Sequence, residues 1–552
     1  MLLALIAAMA IFTHYIALAG LQVINGPDIK IHFRWAQQFA VALSEGVIYP
    51  RWAAYSYFGL GDPTFLYIHP LFYYAVAAFD TFANNIWLSI LGVGALDTAV
   101  TALAIYWVAR KNANEYLAIL AAGAAAISPY AFHLAHYQQF LPMHFAMPAL
   151  VMFIGAVWSS DERSRIPATA IFLALLVGSH ILAAFMALIC TGVVIVSRAL
   201  LERATARKLL IQHALGVVLG LGLSAIYLLP AMTTQHLVSP AGWYAPIHLD
   251  WRNAFLLQYF TLPEFGFRWF HLQWTVPILT VLACGSSGYF LWLARATQNV
   301  AWRRASEMLA LAVLALLLGS ELSYPVWEHI GFFRRIQFPL RFLQIASIAS
   351  VLAIVWSASL HTEGRKKSVW LLVGGFLLTS IAMLIALERQ YAIEAKPALS
   401  VAAPSQAYSG QPEMKPAGVG EEWRRYRNHD AWQADCKAIG ITCSQPVSKT
   451  HYKIWVIGNE GVEAKSLKLP VFSFPGWRFQ LNGTAVVPTV DTGTGLPEFL
   501  IPPGQTTISA IWNGLPQESI GLVISIGSLI VIGYLLIGKN RFFLRKGADN
   551  VA

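Results

Sequence analysis

Charge is scarce in this chain. Only 12% of its 552 residues are Asp, Glu, Lys or Arg, against 57% hydrophobic, so a bilayer and not water must solvate most of it and a soluble reading is excluded. Also absent are a GxxxxGK[ST] phosphate loop, an HExxH helix, a CxxC pair and an Asp-x-Asp pair, which leaves nucleotide chemistry of the usual kind unsupported. Cysteine is almost missing: Cys190 and Cys284 fall in apolar stretches, and only Cys436 and Cys443 lie close together in a polar one. That pair is the one disulfide candidate, and only in an oxidising compartment.

What fills the chain instead is apolar runs near the 20 residues that cross a bilayer as a helix. They lie near 1–22, 86–109, 115–131, 140–158, 167–179, 181–198, 209–230, 273–294, 305–322, 341–359, 369–387 and 518–538. The first lacks a basic n-region and reads as a span rather than a cleaved signal. The pair 167–179 and 181–198 is short and interrupted at Ser179-His180. The net charge of +10 belongs to orientation and not to nucleic acid. Loops 110–111, 161–166, 198–208, 295–304, 361–368 and 539–546 carry 18 of the 38 Lys and Arg, whereas the longer loops 23–64, 231–272 and 323–341 carry 8. The positive-inside rule therefore places the first set and both termini in the cytoplasm of a bacterial inner membrane, and the second set outside.

The expected fold is an all-α polytopic membrane bundle of about twelve transmembrane helices with a small C-terminal periplasmic β-sandwich. Residues 1–387 form the transmembrane module, with outer-face juxtamembrane helices over 23–80. Stretches 23–63 and 323–341 mix aromatics and charges as interfacial helices do, and such helices would roof a cavity. Stretch 64–80 is apolar but short, so it reads as juxtamembrane or re-entrant. Segment 388–517 is irregular to about residue 420 and then strand-like at 452–456, 467–474, 477–481 and 506–512, with Pro-Gly and Asn-Gly turns between. Trp455, Trp477 and Trp512 there read as core rather than as sugar platforms. Residues 518–552 are a last span and a basic cytoplasmic tail.

Histidine is concentrated on the outer side: His32, His69, His133, His136, His180, His236, His248, His271 and His329 all fall there in this topology. Polar groups at membrane depth usually line a wet cavity, although headgroup bonding explains many of them singly. The densest cluster is Asn25 to Trp35, in which Pro27 opens a helix, Asp28 lies in its first turn and His32 follows one turn later on the same face. Asp28 either caps that helix or serves as a general base for a hydroxyl. Arg51, Arg334, Arg335 and Arg341 lie near the outer interface, where their forks suit phosphate or merely snorkel. Arg341, just inside a span, is the preferred phosphate ligand because an unpaired charge there is costly. Asp97, alone in its span, must pair or face water. Glu264 in loop 231–272 is a candidate for acceptor sugar or a divalent cation, without a ligand spacing that specifies a metal.

Further signatures follow in order: Tyr49-Pro50-Arg51-Trp52, Gly59-Leu60-Gly61-Asp62-Pro63, Tyr67-Ile68-His69-Pro70, Leu223 to Pro230, Phe338-Pro339-Leu340-Arg341-Phe342, and Phe474-Pro475-Gly476-Trp477-Arg478. With the Asp28/His32/Arg34 pattern, this series resembles the membrane proteins labelled "6-pyruvoyl-tetrahydropterin synthase-related", placed in the C-type (GT-C) superfamily of polyprenyl-phosphate-sugar glycosyltransferases. The likeness runs over most of the chain. It implies a GT-C-like bundle whose first outer loop supplies a catalytic acid, matched here by Asp28, and a donor sugar on polyprenyl phosphate with a glycan or lipid acceptor. On that basis Asp28 and His32 are the candidate catalytic pair, and Arg34, Arg51, Asp62, His69, His180, Glu264, Arg334, Arg335 and Arg341 the candidate substrate contacts. The family often carries a Gly-Tyr-Gly type stretch where this chain has Gly59 to Asp62, and Asp62 reads better as the turn before Pro63. The competing class is a lipid or polysaccharide transporter, or a non-catalytic scaffold. Polar residues clustered at one side favour the enzyme.

Overall fold

The computed structural model describes residues 2–548 except 160, 202, 240–249, 257–269, 362–365, 399–409 and 429. Among them seven helices are long and apolar enough to cross a membrane: Ile86–Ala109, Glu115–His136, Ile181–Leu200, Val276–Leu293, Pro339–His361, Lys367–Glu394 and Pro516–Ile537. Two more stretches are helix pairs, Arg207–Leu223 with Ala225–Thr233 bent by 77° and Val300–Gly319 with Glu321–His329 bent by 79°. The three remaining apolar stretches are helical but interrupted or shorter. The first is broken at His14 into Leu2–Thr13 and Tyr15–Gly20, where the imidazole bonds His136 (2.7 Å) and Thr98 (2.8 Å). The second splits into Leu141–Phe145 and Met147–Val157. The third, Glu162–Ser179, begins among charged residues.

Small residues let these helices approach closely, as in other membrane bundles. A Cβ at Gly220 would lie 2.8 Å from the Ala170 carbonyl oxygen, and one at Gly521 2.4 Å from that of Ala225. The second contact seats the last helix, Pro516–Ala548, against the bend at Ala225.

One end of the bundle is roofed. Helix Pro27–Ser44 lies there, followed by a loop to Pro63 and by helices Thr64–Tyr67 and Leu71–Ala83. The loop is clamped from above: Trp52 packs on Phe474, Trp477 and Trp512, and the Leu60 carbonyl accepts the Phe472 N–H at 2.9 Å. Gly61, at φ 77°, is required because a Cβ would meet the Trp52 indole nitrogen at 2.2 Å.

The clamp belongs to a C-terminal β-rich region of two antiparallel sheets. Strands Tyr452–Asn459, Gly504–Trp512 and Trp477–Leu481 are the middle of the larger sheet; Lys465–Lys468, Pro497–Ile501 and Thr489–Val490 form the smaller. Side chains of Tyr452–Asn459 alternate between buried and half-buried, as a strand covered on one face requires. Asn482 and Gly483, at φ 50° and 82°, turn Trp477–Leu481 back into Thr484–Val486 with the left-handed pair that a two-residue hairpin needs. The strand expected at 467–474 ends at Lys468, since Pro470 cannot donate to a ladder. Trp455 and Trp477 are buried core residues. Cys436 and Cys443 are disulfide-bonded, tying helix Ala431–Ala438 to strand Thr442–Cys443.

Candidate active site

Asp28 sits at the roofed end, in the first turn of Pro27–Ser44, one position inside Pro27, while the N-cap itself is Gly26 and has no side chain to cap with. Gln139 does that work from another part of the chain: its Oε1 accepts the Ile29 N–H at 3.1 Å and its Nε2 donates to the Ile24 carbonyl at 2.6 Å. Gly26 makes the approach feasible, because a Cβ there would stand 2.3 Å from Gln139 Oε1. Asp28 is therefore spared the capping role that position alone allows it. It lies deep in protein while keeping accessible surface. Burial pushes its carboxyl up to about 6; the Arg341 guanidinium opposes the rise and Glu413 adds to it.

Around Asp28 the fold gathers residues from four distant segments. His32 shares a 2.8 Å hydrogen bond through Nδ1 with the Tyr73 hydroxyl. His69 and His180 bring their rings to 4.8 Å between centroids. His180 falls at the break between Glu162–Ser179 and Ile181–Leu201, where its Nδ1 accepts the Ala183 N–H at 3.0 Å and so keeps its proton on Nε2. Arg341 is buried, donates to the Ile336 carbonyl at 2.7 Å, and lies over the rings of Phe338 and Phe140 at 4.6 and 5.0 Å. It acts electrostatically on Asp28, His69 and His180 alike. Burial lowers both His32 and His69 to about 3, so these two imidazoles are neutral at physiological pH.

A groove of about 870 Å³ leads away from this cluster between Leu71–Ala83, Ile86–Ala109, Met147–Val157 and Glu162–Ser179. Its walls include Leu71, Phe79, Leu96, Trp107, Met152 and Leu175, and its polar lining residues are Asp97 and Ser179. Leu71 lies two residues after His69 and Ser179 one before His180, so one end of the apolar groove lies next to this ring pair. Asp97 stands 3.2 Å from His144 Nδ1, which links two helices by a buried pair.

Other expected contacts lie elsewhere. Arg51 is bound to Glu518 (3.0 Å) and the Ile226 carbonyl (2.8 Å) under the Tyr49 ring, bracing the loop on the last helix. Asp62 is wholly buried and accepts the Thr64 N–H at 3.0 Å, the turn expected before Pro63; burial raises its carboxyl to about 7. Arg34 leaves the Asp28 face and lies against Phe33. Arg334 donates to the Trp327 carbonyl at 3.3 Å, and Arg335 is exposed. Glu264 and His248 fall outside the described residues. Among the described residues no group of three His, Cys, Asp or Glu could hold a metal ion.

Two contributors escaped the sequence. Gln139 carries no motif. Glu413, which acts on both Asp28 and Asp62, lies in a stretch that reads as linker. It is brought in by Tyr57, whose hydroxyl donates to the Gln411 carbonyl at 2.7 Å and whose ring presses on Gly410.

No protein-family model matches the chain, and no curated protein matches it. Among solved structures it is similar to the arabinofuranosyltransferase AftD from Mycobacteria, at 15% identity and TM-score 0.44 over 72% of this chain and 27% of that one. It is also similar to an oligosaccharyltransferase from Archaeoglobus fulgidus solved with Zn and sulfate, at 12% and 0.39 over 80% and 56%. A third is ArnT from Cupriavidus metallidurans bound to undecaprenyl phosphate, at 15% and 0.41 over 71% and 76%. The chain thus spans less than two thirds of the first two.

Proposed function

We propose that this chain is an integral-membrane glycosyltransferase that moves a sugar from a polyprenyl-phosphate donor to an acceptor hydroxyl, with Asp28 as general base. One observation carries the proposal: a carboxylate with an elevated pKa, with the cap of its helix supplied by Gln139, keeps accessible surface within the field of Arg341, and an apolar groove begins beside the His69/His180 pair that shares that field. The polyprenyl chain lies in the groove and its phosphate reaches the polar cluster. Asp28 takes the proton of the acceptor hydroxyl as that oxygen bonds the anomeric carbon. The bond from that carbon to the phosphate oxygen breaks, and its electron pair leaves on the lipid phosphate. Arg341 receives this charge with a planar fork, and His180 Nε2–H supplies a neutral donor. A single displacement of this kind inverts the anomeric centre. His32, neutral and tied to Tyr73, shapes the wall next to the base. The site faces the periplasm, and both termini lie in the cytoplasm, as the distribution of Lys and Arg supports.

The second reading, a lipid transporter, is favoured by one feature, the Asp97–His144 pair on the groove. Vesicles holding wild type or Asp28→Asn and supplied with radiolabelled polyprenyl-phosphate sugars separate the two. Loss of transfer in the variant is expected. Equal transfer by both removes Asp28 as base, and label crossing the bilayer without transfer identifies a transporter.

A further inference from the structure

The opposite end of the bundle holds a polar hollow. Helices Glu162–Ser179 and Ile181–Leu201, which meet at His180, run back to Arg165 and Arg198, about 25 Å away at 1.5 Å per residue. There, with the beginnings of Arg203–Leu223 and Val300–Gly319, they border a cavity of about 100 Å³. Its described lining includes Arg165, Arg198, Lys208, Arg303 and Arg304 against a single carboxylate, Glu162.

The acids nearby are largely engaged. Glu162 pairs with Lys208, and Glu307, which also accepts from the Trp158 indole, pairs with Arg198 at 2.9 Å. Arg165 is 8% exposed. Its guanidinium is held by the Gln212 side chain and the Ser159 carbonyl, both neutral, and its Nε meets no acceptor among the described residues. Asp161 and Glu162 attract it from outside, while Arg198 and Arg304 repel it. Arg304 in turn is fixed by the neutral Asn112 at 2.9 Å.

Orientation of the chain accounts for basic residues at this end, but it needs them only in loops reaching water. It does not account for a buried arginine gathered with two others around a hollow, which is costly without a counter-ion. The hollow has room for a phosphate group and forks to bind one. On the bilayer side of Arg198, Val193 and Val196 of the same helix are exposed and continue it with apolar surface. We infer that this cavity binds the phosphate of an anionic phospholipid head group, whose acyl chains lie along those exposed side chains. Basic pockets between transmembrane helices suit such head groups. The site is separate from the Asp28 cluster, and it ties together the far ends of the two helices that present His180.

Full-length protein, purified and delipidated in neutral detergent, is titrated with cardiolipin, phosphatidylglycerol, phosphatidylcholine or inorganic phosphate, reading the thermal midpoint and lipid retained in native mass spectra. The two anionic lipids are expected to raise the midpoint by several degrees and to remain bound, with phosphatidylcholine inert. Arg165→Gln and Arg303→Gln should remove most of that rise; Arg303 is half-buried at the rim, so its variant serves if the other does not fold. An equal rise with phosphatidylcholine, or an undiminished one in Arg303→Gln, overturns the inference. Inorganic phosphate matching the lipids overturns the lipid assignment in favour of a soluble anion.

Discussion

Gln139 holds Ile29: its amide oxygen accepts the Ile29 N–H at 3.1 Å, and its amide nitrogen donates to the Ile24 carbonyl at 2.6 Å. One side chain thus satisfies both sides of the turn that enters the Asp28 helix. Gln139→Leu leaves the buried Ile29 N–H unsatisfied, at a cost of about 1–3 kcal/mol, while the Ile24 carbonyl keeps the Gly26 N–H at 2.9 Å. The thermal midpoint should fall. Transfer should fall further than stability explains, mostly in kcat, because Asp28 is then the nearest group able to cap. Gln139→Glu, which keeps the acceptor, should recover part of both. A Leu variant with wild-type kcat would show that capping does not position the base.

The pH profile should report Asp28. A base works only when ionised, so transfer should drop as pH falls below about 6, the value to which burial raises this carboxyl. His32 and His69, lowered to about 3, contribute no limb between pH 5 and 8. The neighbours move the limb in opposite directions. Arg341 holds the Asp28 value down, so Arg341→Gln should shift the limb to higher pH; Glu413 pushes it up, so Glu413→Gln should shift it lower. Profiles of kcat/KM for the three proteins check both signs, and two shifts in one direction would refute the assignment.

Arg341 also tests geometry apart from charge. Its guanidinium is stacked on Phe338 and Phe140 while donating to the Ile336 carbonyl, an arrangement that a lysine ammonium cannot reproduce. Arg341→Lys should lose at least tenfold in kcat/KM for the lipid donor, in line with about 1.5–3 kcal/mol for a hydrogen bond to a charged group. Initial rates at varied donor concentration measure it.

How much of this was readable beforehand depends on the range of each interaction. The apolar runs are local, so the helices fell where hydropathy put them. The bends at Ser224 and Ser320 fall next to glycines, Gly222 and Gly319, whereas the break at His14 goes with its bonds to His136 and Thr98 on other helices, which no window of sequence contains. Asp28 and His32 share a helix face, and Pro27 with the 3.6-residue repeat was enough to pair them. His69, His180 and Arg341 each stand out by residue type and depth, but nothing local in the sequence says that they meet. Gln139 and Glu413 carry no local signal, because a polar residue between helices and a glutamate in an irregular stretch look like solvent-facing punctuation. Arg51 has the right charge at the right depth, yet Glu518 claims it from the far end of the chain.

The disulfide checks which way the protein faces. Cys436 and Cys443 are joined, whereas Cys190 and Cys284 lie apart in helices. In intact cells a membrane-impermeant maleimide should add nothing before reduction and two labels after mild reduction. Labelling that requires lysis would place the β-rich region, and with it Asp28, on the cytoplasmic side.

The groove should discriminate by chain length. Leu175 lines it and is 42% exposed, so a larger side chain there fills the groove without overpacking the interior. Leu175→Trp should leave the Asp28 cluster intact, because Leu175 sits on the groove wall a helical turn away from Ser179. A long polyprenyl donor would then be crowded along its tail while its phosphate still reaches Arg341. KM for the long donor should rise severalfold, KM for a short-chain analogue should barely change, and kcat should hold for both. Equal effects on the two donors would mean that the tail lies elsewhere and that the groove serves only to seat bilayer lipid.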